Sequence, residues 1–271
     1  MKKLLSLVLC IVLLSLSLVA CSGGNDADGP IRIRIGATPR PHAEILAYIN
    51  PFLLEEGIQL EIVEFTEFAL VNPALSQNQL EANFFQHVPF LENYMNASGN
   101  VLHVMGPIHI EPMGAYSLTL SDINELTYGG SVAIPDCAVN GPRALMLLED
   151  HGLLGLNPYA RTIATIHDIP YNPLNLQFIE IAPALLPRVM LNRETDISII
   201  NTNHVLAGAP GINPVEDSLI MESVDSPYAN MLVVRPEDAD NPIMHTILRH
   251  LQSDRVRQFI LDNYDGVVPV F

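Results

Sequence analysis

Arg143 lies where an arginine is unusual. The segment from Ser131 to Leu148 reads as a short apolar strand, a loop and the first turns of a helix, with Asn140 as the predicted N-cap. The first turn of a helix carries partial positive charge, so an arginine there opposes the helix dipole unless an anion lies beside it. Free backbone N–H groups and a guanidinium together bind a carboxylate or a phosphate. The segment therefore predicts an anion site, with an exposed surface arginine as the alternative.

The N-terminal residues have the pattern of an export signal. Two lysines precede a long apolar run, so residues 1–20 are predicted to be a signal peptide. The sequence LVAC that ends at Cys21 resembles the lipobox of bacterial lipoproteins, which implies cleavage before Cys21 and attachment of lipid to its thiol. The alternatives are an uncleaved membrane anchor and an ordinary signal peptide with a chance cysteine. Residues 21–30 are polar and glycine-rich, and we expect them to form a flexible tether.

The charge balance of the chain excludes some partners. The sequence has 30 Asp and Glu against 13 Lys and Arg, with a formal net charge of −17, and both lysines lie in the predicted signal. An acidic body repels phosphate backbones and anionic lipid headgroups, so nucleic acid is not an expected partner. Of the three cysteines, only Cys137 would remain as a free thiol in the mature chain, so no disulfide is expected.

The order of elements predicts an α/β fold with two lobes. Alternating apolar residues over 31–35 and 58–65 flank a predicted helix, and a strand–helix–strand order of this kind forms a parallel unit. Ligands of such sheets lie beyond the carboxyl ends of the strands. An apolar segment over 101–117 indicates a crossing into a second lobe, and residues 226–235 indicate the returning strand. Lobe 1 is predicted to comprise residues 31–115 and 229–271, and lobe 2 residues 116–228.

Other segments follow helical or strand periodicity. Helices are predicted over 72–82, 88–97 and 183–191, strands over 83–87, 176–181 and 196–201, and a closing amphipathic helical region over 241–264.

Six segments of the chain occur in an order that is specific as a series. They are GATPRPHAEIL, EANFFQHVPFL, IEPMGAYS, NGPRALMLLE, SIINTN and SPYANMLVVR. Together they resemble the motif series of the D-/L-methionine-binding lipoproteins, the NlpA family, over residues 31–271. The resemblance implies a type II periplasmic-binding-protein fold, in which two lobes are joined by two crossing segments with a ligand cleft between them. It also implies delivery of methionine to an ABC importer.

The resemblance assigns six residues to this cleft: Phe68, Phe85, His87, Arg143, Asn201 and Asn230. The phenylalanines and the histidine match an aromatic wall around the ligand side chain, the arginine matches the group that takes the α-carboxylate, and the asparagines match the amides that hold the amino-acid backbone. Aromatic edges suit a polarizable thioether. A guanidinium binds a carboxylate through two parallel hydrogen bonds, and amide oxygens accept from an ammonium group.

Several of these residues also have a purely structural interpretation. The phenylalanines could be core residues, His87 could cap a helix, and Asn201 could form an Asx turn. Three departures from the usual family pattern bear on the ligand: Arg40 replaces a glycine at the cleft rim, Phe68 replaces a tyrosine, and the loop over 136–142 has a different sequence. Another small amino acid or a short Met-containing peptide is therefore an alternative ligand.

The motifs of common enzymes are not found in the sequence. It contains no GxSxG, HExxH, CxxC or SxxK pattern, and its histidines lack the spacing of metal ligands. His42, Cys137 and His204 are interpreted as structural. We therefore expect no catalytic residue, cofactor or metal.

The predicted protein is a monomer that binds methionine or a similar small amino acid and an ABC importer permease. Its N-terminal lipid would hold it at the outer face of the cytoplasmic membrane, on the periplasmic side of a Gram-negative envelope. A surface adhesin that has lost transport is the alternative.

Overall fold

The computed structural model describes residues 29–225 and 227–271. The predicted signal peptide, Cys21 and most of the predicted tether lie outside these residues, as does Ser226 of the predicted returning strand. Residues 32–271 form one compact unit. Within the described ranges, none of the helices combines the length and the apolar character that crossing a membrane requires.

Strands and helices alternate along most of the chain. The strands are β1 (Ile31–Ala37), β2 (Ile58–Glu64), β3 (Ala82–His87), β4 (His103–Ile110), β5 (Met113–Tyr116), β6 (Ser131–Pro135), β7 (Gln177–Ile181), β8 (Ile197–Asn201), β9 (Ser218–Met221), β10 (Ala229–Val234) and β11 (Val268–Pro269). The α-helices are α1 (Glu44–Glu55), α2 (Phe68–Ser76), α3 (Val88–Ser98), α4 (Asn140–Asp150), α5 (Leu186–Leu191), α6 (Thr202–Gly208), α7 (Pro242–Leu251) and α8 (Asp254–Asn263).

The first lobe is built on a six-stranded mixed sheet with the order β11-β4-β10-β3-β1-β2. Strand β3 lies inside this sheet, parallel to β1 and antiparallel to β10. All six of its residues are buried, since apolar clusters that include residues of α1, α7 and α8 and of α2 and α3 pack against the sheet. This strand ends at His87 and so delivers Phe85 and His87 to one edge of the lobe.

The second lobe is built on a five-stranded sheet with the order β7-β6-β8-β5-β9. Strand β6 is parallel to both β7 and β8, and its chain continues into α4. Because β6 and β8 are parallel neighbours, the residues that follow them, Arg143 in the first turn of α4 and Asn201 at the end of β8, come to the same edge of the sheet.

The chain passes between the two sheets twice. Glu111 and Pro112 join β4 to β5, and residues 222–228 join β9 to β10. The second sheet thus begins at Met113, inside the range that the sequence assigns to lobe 1. Each crossing segment carries a carboxylate next to the cleft: Glu111 in the first lines the cavity, and Glu222 in the second accepts hydrogen bonds from Arg143.

Two predicted helices differ from the structure in their bounds. The helix predicted over 72–82 is wrong: α2 begins at Phe68 and ends at Ser76, because Asn78 adopts a left-handed φ of 61° and β3 begins at Ala82. The closing helical region over 241–264 consists of two helices, α7 and α8, separated at Gln252 and Ser253.

Candidate functional site

A small cavity lies between the lobes, and all six predicted cleft residues line it. Its walls consist of Phe68, Phe85, Gln86, His87, Phe90, Glu111, Asn140, Arg143, Asn201, Asn203 and Asn230. The cavity has a volume of about 20 Å³, and a single water needs roughly 10–15 Å³. The lobes therefore leave a narrow, enclosed space. The structure brings the predicted residues together, and their contacts with a ligand stay a prediction.

Arg143 is buried and already paired with an anion. Its side chain is 2% exposed, and its Nε and Nη2 donate to the two carboxylate oxygens of Glu222 at 2.8 and 2.6 Å. Nη2 also donates to the backbone oxygen of Glu111 at 2.9 Å, and the guanidinium carbon lies 4.0 Å from the centre of the Tyr228 ring. The exposed-arginine alternative is wrong, and the anion beside the helix terminus is a carboxylate of the protein. Within the described residues, Nη1 makes no hydrogen bond.

Asn140 is not the N-cap of α4. The helix begins at Asn140 itself, after Val139, without a side-chain cap. The Asn140 side chain instead lies across the cleft from His87, with Oδ1 at 3.4 Å from Nε2. His87 Nδ1 accepts the backbone N–H of Phe90 at 3.2 Å, so Nε2 carries the proton and donates to Asn140. His87 is thus both the cap of α3, as its structural interpretation proposed, and a bridge between the lobes.

His87 is uncharged at neutral pH. Burial, and after it the positive charge of Arg143, lowers the pKa of the His87 imidazole to about 3. A neutral ring beside three phenylalanines suits an apolar ligand group.

The aromatic residues form a continuous wall. Ring centres are 4.9 Å apart between Tyr228 and His87, 6.3 Å between His87 and Phe90, and 6.0 Å between Phe90 and Phe68. Phe85 lies 6.0 Å from Phe68 and belongs to the buried cluster of the first lobe, against which Phe68 and Phe90 also pack. These phenylalanines are therefore core residues on one side and cavity wall on the other.

The Asn201 side chain has an unsatisfied acceptor. Its Oδ1 is buried and has no hydrogen-bond partner among the described residues, and the side chain makes no capping bond at the start of α6. An Asx turn therefore does not explain this residue. A buried polar atom without a partner costs about 1–3 kcal/mol, so a ligand that donates to Asn201 would remove this cost.

Glu111 is a cavity residue that the sequence analysis missed. Its Oε1 lies 2.7 Å from Nε2 of His109 and 3.3 Å from Nε2 of His42, and His42 Nε2 is also 3.2 Å from Oδ1 of Asn230. Burial raises the pKa of the Glu111 carboxyl, while burial lowers the pKa of His42 to about 4 and that of His109 to about 3. The carboxyl thus faces two neutral imidazoles in a cavity that can admit a cation. Glu111 stands in the IEPMGAYS motif, but its partner His42 is far away in sequence, so no spacing indicates the cluster.

The same three residues are the group that could hold a metal ion in the described part of the chain. The ligand atoms of His42, His109 and Glu111 lie within 4.8 Å of one another. Two imidazoles and a carboxylate suit zinc. To bind a metal ion, the Nε2 atoms of His42 and His109 would each have to offer a lone pair. Both atoms instead lie within hydrogen-bond range of acceptor oxygens. A chelator distinguishes binding of a metal ion by this cluster from binding of a ligand ammonium group.

The fold and the motif series together decide the family. Residues 33–271 match the sequence model of the NlpA lipoprotein family. The chain belongs to the NlpA lipoprotein family. It is 35% identical over 272 residues to the methionine-binding lipoprotein MetQ of Bacillus subtilis, covering 99% of this chain and 98% of the relative. The family resemblance of the motif series is therefore confirmed.

Two solved structures have a similar fold. A nutrient-binding protein of Burkholderia cenocepacia bound to methionine is similar with a TM-score of 0.84 and 33% identity, covering 88% of this chain and 100% of that chain. The lipoprotein Tp32 of Treponema pallidum is similar with a TM-score of 0.83 and 32% identity, covering 88% and 99%. The predicted two-lobed periplasmic-binding-protein fold is confirmed.

Proposed function

We propose that this protein captures methionine in the cavity between its lobes and delivers it to an ABC importer. The observation that carries the proposal is the polarity of the cavity. Arg143, the Glu111 carboxyl and Asn201, whose buried Oδ1 has no hydrogen-bond partner among the described residues, line the same cavity as the apolar aromatic wall. A relative named for methionine binding and a neighbour that holds methionine support this ligand.

The polar groups suggest how the amino-acid backbone is held. The ligand carboxylate accepts from Nη1 of Arg143, because Glu222 already occupies the edge of the guanidinium formed by Nε and Nη2. The ligand ammonium donates to Glu111 and to Oδ1 of Asn201. Asn230 is bonded through its Oδ1 to His42 and so fixes the cluster behind Glu111. The thioether then packs against the phenylalanines.

The location and partners belong to the same proposal. Signal cleavage and lipidation at Cys21 would hold the protein at the outer face of the cytoplasmic membrane, where a monomer would meet the permease. The family's name as lipoproteins and the LVAC sequence support this placement.

Ligand screening tests the proposal directly. We expect L-methionine in millimolar excess to raise the unfolding temperature of ligand-free protein more than leucine, glutamine or Gly-Met does. Binding to the folded state alone stabilises by RT ln(1 + [L]/Kd), which is about 4 kcal/mol at 1,000 times Kd. A larger shift with another of these ligands would make the methionine assignment wrong. No shift with any of them would favour the adhesin alternative.

A chelator provides the control for the histidine cluster. EDTA should leave the methionine shift unchanged if Glu111 binds the ligand ammonium. Loss of the shift with EDTA and its recovery with zinc would instead identify His42, His109 and Glu111 as metal ligands.

Ligand binding should also close the cleft. Phe68, Phe85 and His87 belong to the first lobe and Arg143 and Asn201 to the second, so only a closed cleft lets both lobes hold the ligand. Methionine should therefore decrease the radius of gyration measured by small-angle scattering. An unchanged radius at saturation, in protein first shown to be ligand-free, would contradict closure.

Asn230→Ala should weaken both binding and closure. The amide lies at the start of β10, immediately after the second crossing segment, and its loss removes the bond to His42. Asn230 also lines the cavity, and loss of one ligand hydrogen bond of about 0.5–1.5 kcal/mol would weaken binding by roughly two- to tenfold, so the open form should persist at methionine levels that close the wild type. Asn96→Ala, on the exposed side of α3, is the matched control. Equal scattering curves for the two variants at these levels would refute the role of Asn230.

A further inference from the structure

We infer that Phe68 separates the methionine cavity from a second subsite, which can receive the far end of a longer amino-acid ligand. The inference rests on the proposed function. The second pocket is lined by Thr66, Glu67, Phe68 and Ala69 of the first lobe and by Asp136, Cys137, Pro183, Ala184 and His204 of the second. This outer pocket has a volume of about 90 Å³, against about 20 Å³ for the inner cavity. Phe68 lines both.

The aromatic wall places this second pocket at the side-chain end of the ligand. Arg143, His87, Phe90 and Phe68 all line the inner cavity, with ring centres 6.3 Å apart between His87 and Phe90 and 6.0 Å apart between Phe90 and Phe68, whose ring centre lies 4.8 Å from that of His204. A ligand whose carboxylate is bound by Arg143 therefore directs its side chain toward Phe68. Beyond this ring lies the outer pocket.

His204 gives the outer pocket its chemistry. The residue is only 7% exposed, and its Nε2 is buried without a hydrogen-bond partner in the described part of the chain. Burial lowers the pKa of the ring to about 4, so it stays neutral at pH 7. Buried polar atoms are nearly always hydrogen-bonded, and a ligand group can supply this bond.

The charged residues that line the outer pocket determine which end group of a ligand side chain can bind there. Glu67 and Asp136 contribute carboxylates to the same pocket, and no Lys or Arg lines it. Negative charge favours a hydrogen-bond donor and disfavours a second carboxylate. The ligand class is therefore an α-amino acid whose long apolar side chain ends in a hydroxyl, amide or ammonium group.

Phe68 is accordingly a specificity residue that limits ligand length. Its ring is held between Phe85 and Phe90, each 6.0 Å away, and His204. Removing the ring would join the two pockets into one channel. Wild-type protein should prefer methionine, and a protein without this ring should prefer longer ligands.

Calorimetry with three ligands tests this limit. The ligands are L-methionine, S-butyl-L-homocysteine and S-(3-hydroxypropyl)-L-homocysteine, the last two having side chains of equal length. In wild type, methionine should bind at least tenfold tighter than either. In Phe68→Ala, methionine binding should weaken about tenfold. Binding of the hydroxypropyl ligand should strengthen at least tenfold and become tighter than binding of the butyl ligand. Phe68→Leu, which keeps more of the core contact, should show the same change in direction if Phe68→Ala does not fold.

Two further measurements assign the gain to the outer pocket. Adding His204→Ala to Phe68→Ala should remove the advantage of the hydroxypropyl ligand over the butyl ligand. The Cys137 thiol lines the pocket and is partly exposed. In Phe68→Ala, its modification by N-ethylmaleimide should block binding of both long ligands and leave methionine binding unchanged. Cys137→Ser treated in the same way should show no block.

The outcomes separate this inference from the function on which it rests. If no amino acid binds to the wild type, the proposed function fails. If methionine binds but the ratio of long to short ligands is the same in wild type, Phe68→Ala and Phe68→Leu, the second subsite is refuted. A block by N-ethylmaleimide that is equal in Cys137→Ser would also refute it.

Discussion

Replacing Arg143 with alanine is expected to weaken methionine binding by about 30-fold to several-thousand-fold and to destabilise the fold as well. Truncating one partner of a buried charge pair between protein and ligand costs about 2–5 kcal/mol, which gives this range in Kd. From the sequence alone, little change in stability would be expected, because removing a cation from a helix N-terminus relieves a conflict with the dipole. The structure reverses that expectation. Glu222, whose side chain is 12% exposed, would lose its partner, and breaking a buried pair costs about 3–5 kcal/mol.

A second substitution separates the two effects. In Arg143→Ala/Glu222→Gln the unpaired charge is gone, while the glutamine can still accept the backbone N–H of Met113, which Glu222 accepts at 2.8 Å. Denaturation by urea should show that this double variant regains most of the lost stability, whereas calorimetry should show that methionine binding stays weak. Arg143→Ala binding within about threefold of wild type would contradict the ligand role of Arg143. Equal stability of the single and double variants would contradict the importance of the buried pair.

The sequence predicted the residues of the site better than their partners. Arg143, Asn201 and Asn230 were identifiable because each stands in one of the six motifs, in the first turn of a helix, at the end of a strand and at the start of a strand, respectively. The contacts that define their chemistry join distant positions. Arg143 and Glu222 are 79 residues apart, and His42 and Asn230 are 188 apart. Side-chain type and local spacing carry no information about such pairs, so Glu111 and Glu222 could be found only from the folded chain.

Local structure was predictable where local forces decide it. Alternating apolar residues correctly indicated strands β1 and β2, because burial of one face of a strand imposes that pattern. Asn140 has the right type for an N-cap, yet its side chain contacts His87 in the other lobe. A tertiary contact across the cleft thus takes the place of the expected capping bond, and Asn140 lines the cavity.

Acid is expected to destabilise the protein well above the pH at which carboxylates usually titrate. Burial is the main cause that lowers the pKa of His42 and His204 to about 4 and of His87 and His109 to about 3. In the unfolded chain each histidine titrates near 6.5. Between these values the unfolded state binds more protons than the folded state, so the free energy of unfolding falls as pH falls through this window. Each histidine contributes roughly 2 kcal/mol of lost stability at pH 5 if the full difference is realised.

Glu111 acts in the opposite direction but is a single group. Burial raises the pKa of its carboxyl in the folded state, so the folded state holds this proton at a pH where the unfolded chain has released it. Four histidines against one carboxyl leave a net uptake of fewer than four protons on unfolding, or less than about 5 kcal/mol per pH unit. Urea denaturation at pH 7, 6 and 5 measures this slope. His204→Gln should lower the number of protons taken up on unfolding by about one. His245→Gln, at an exposed position on α7, should leave that number unchanged. A stability that stays constant from pH 7 to pH 5 would show that the four imidazoles are not held neutral in the folded protein.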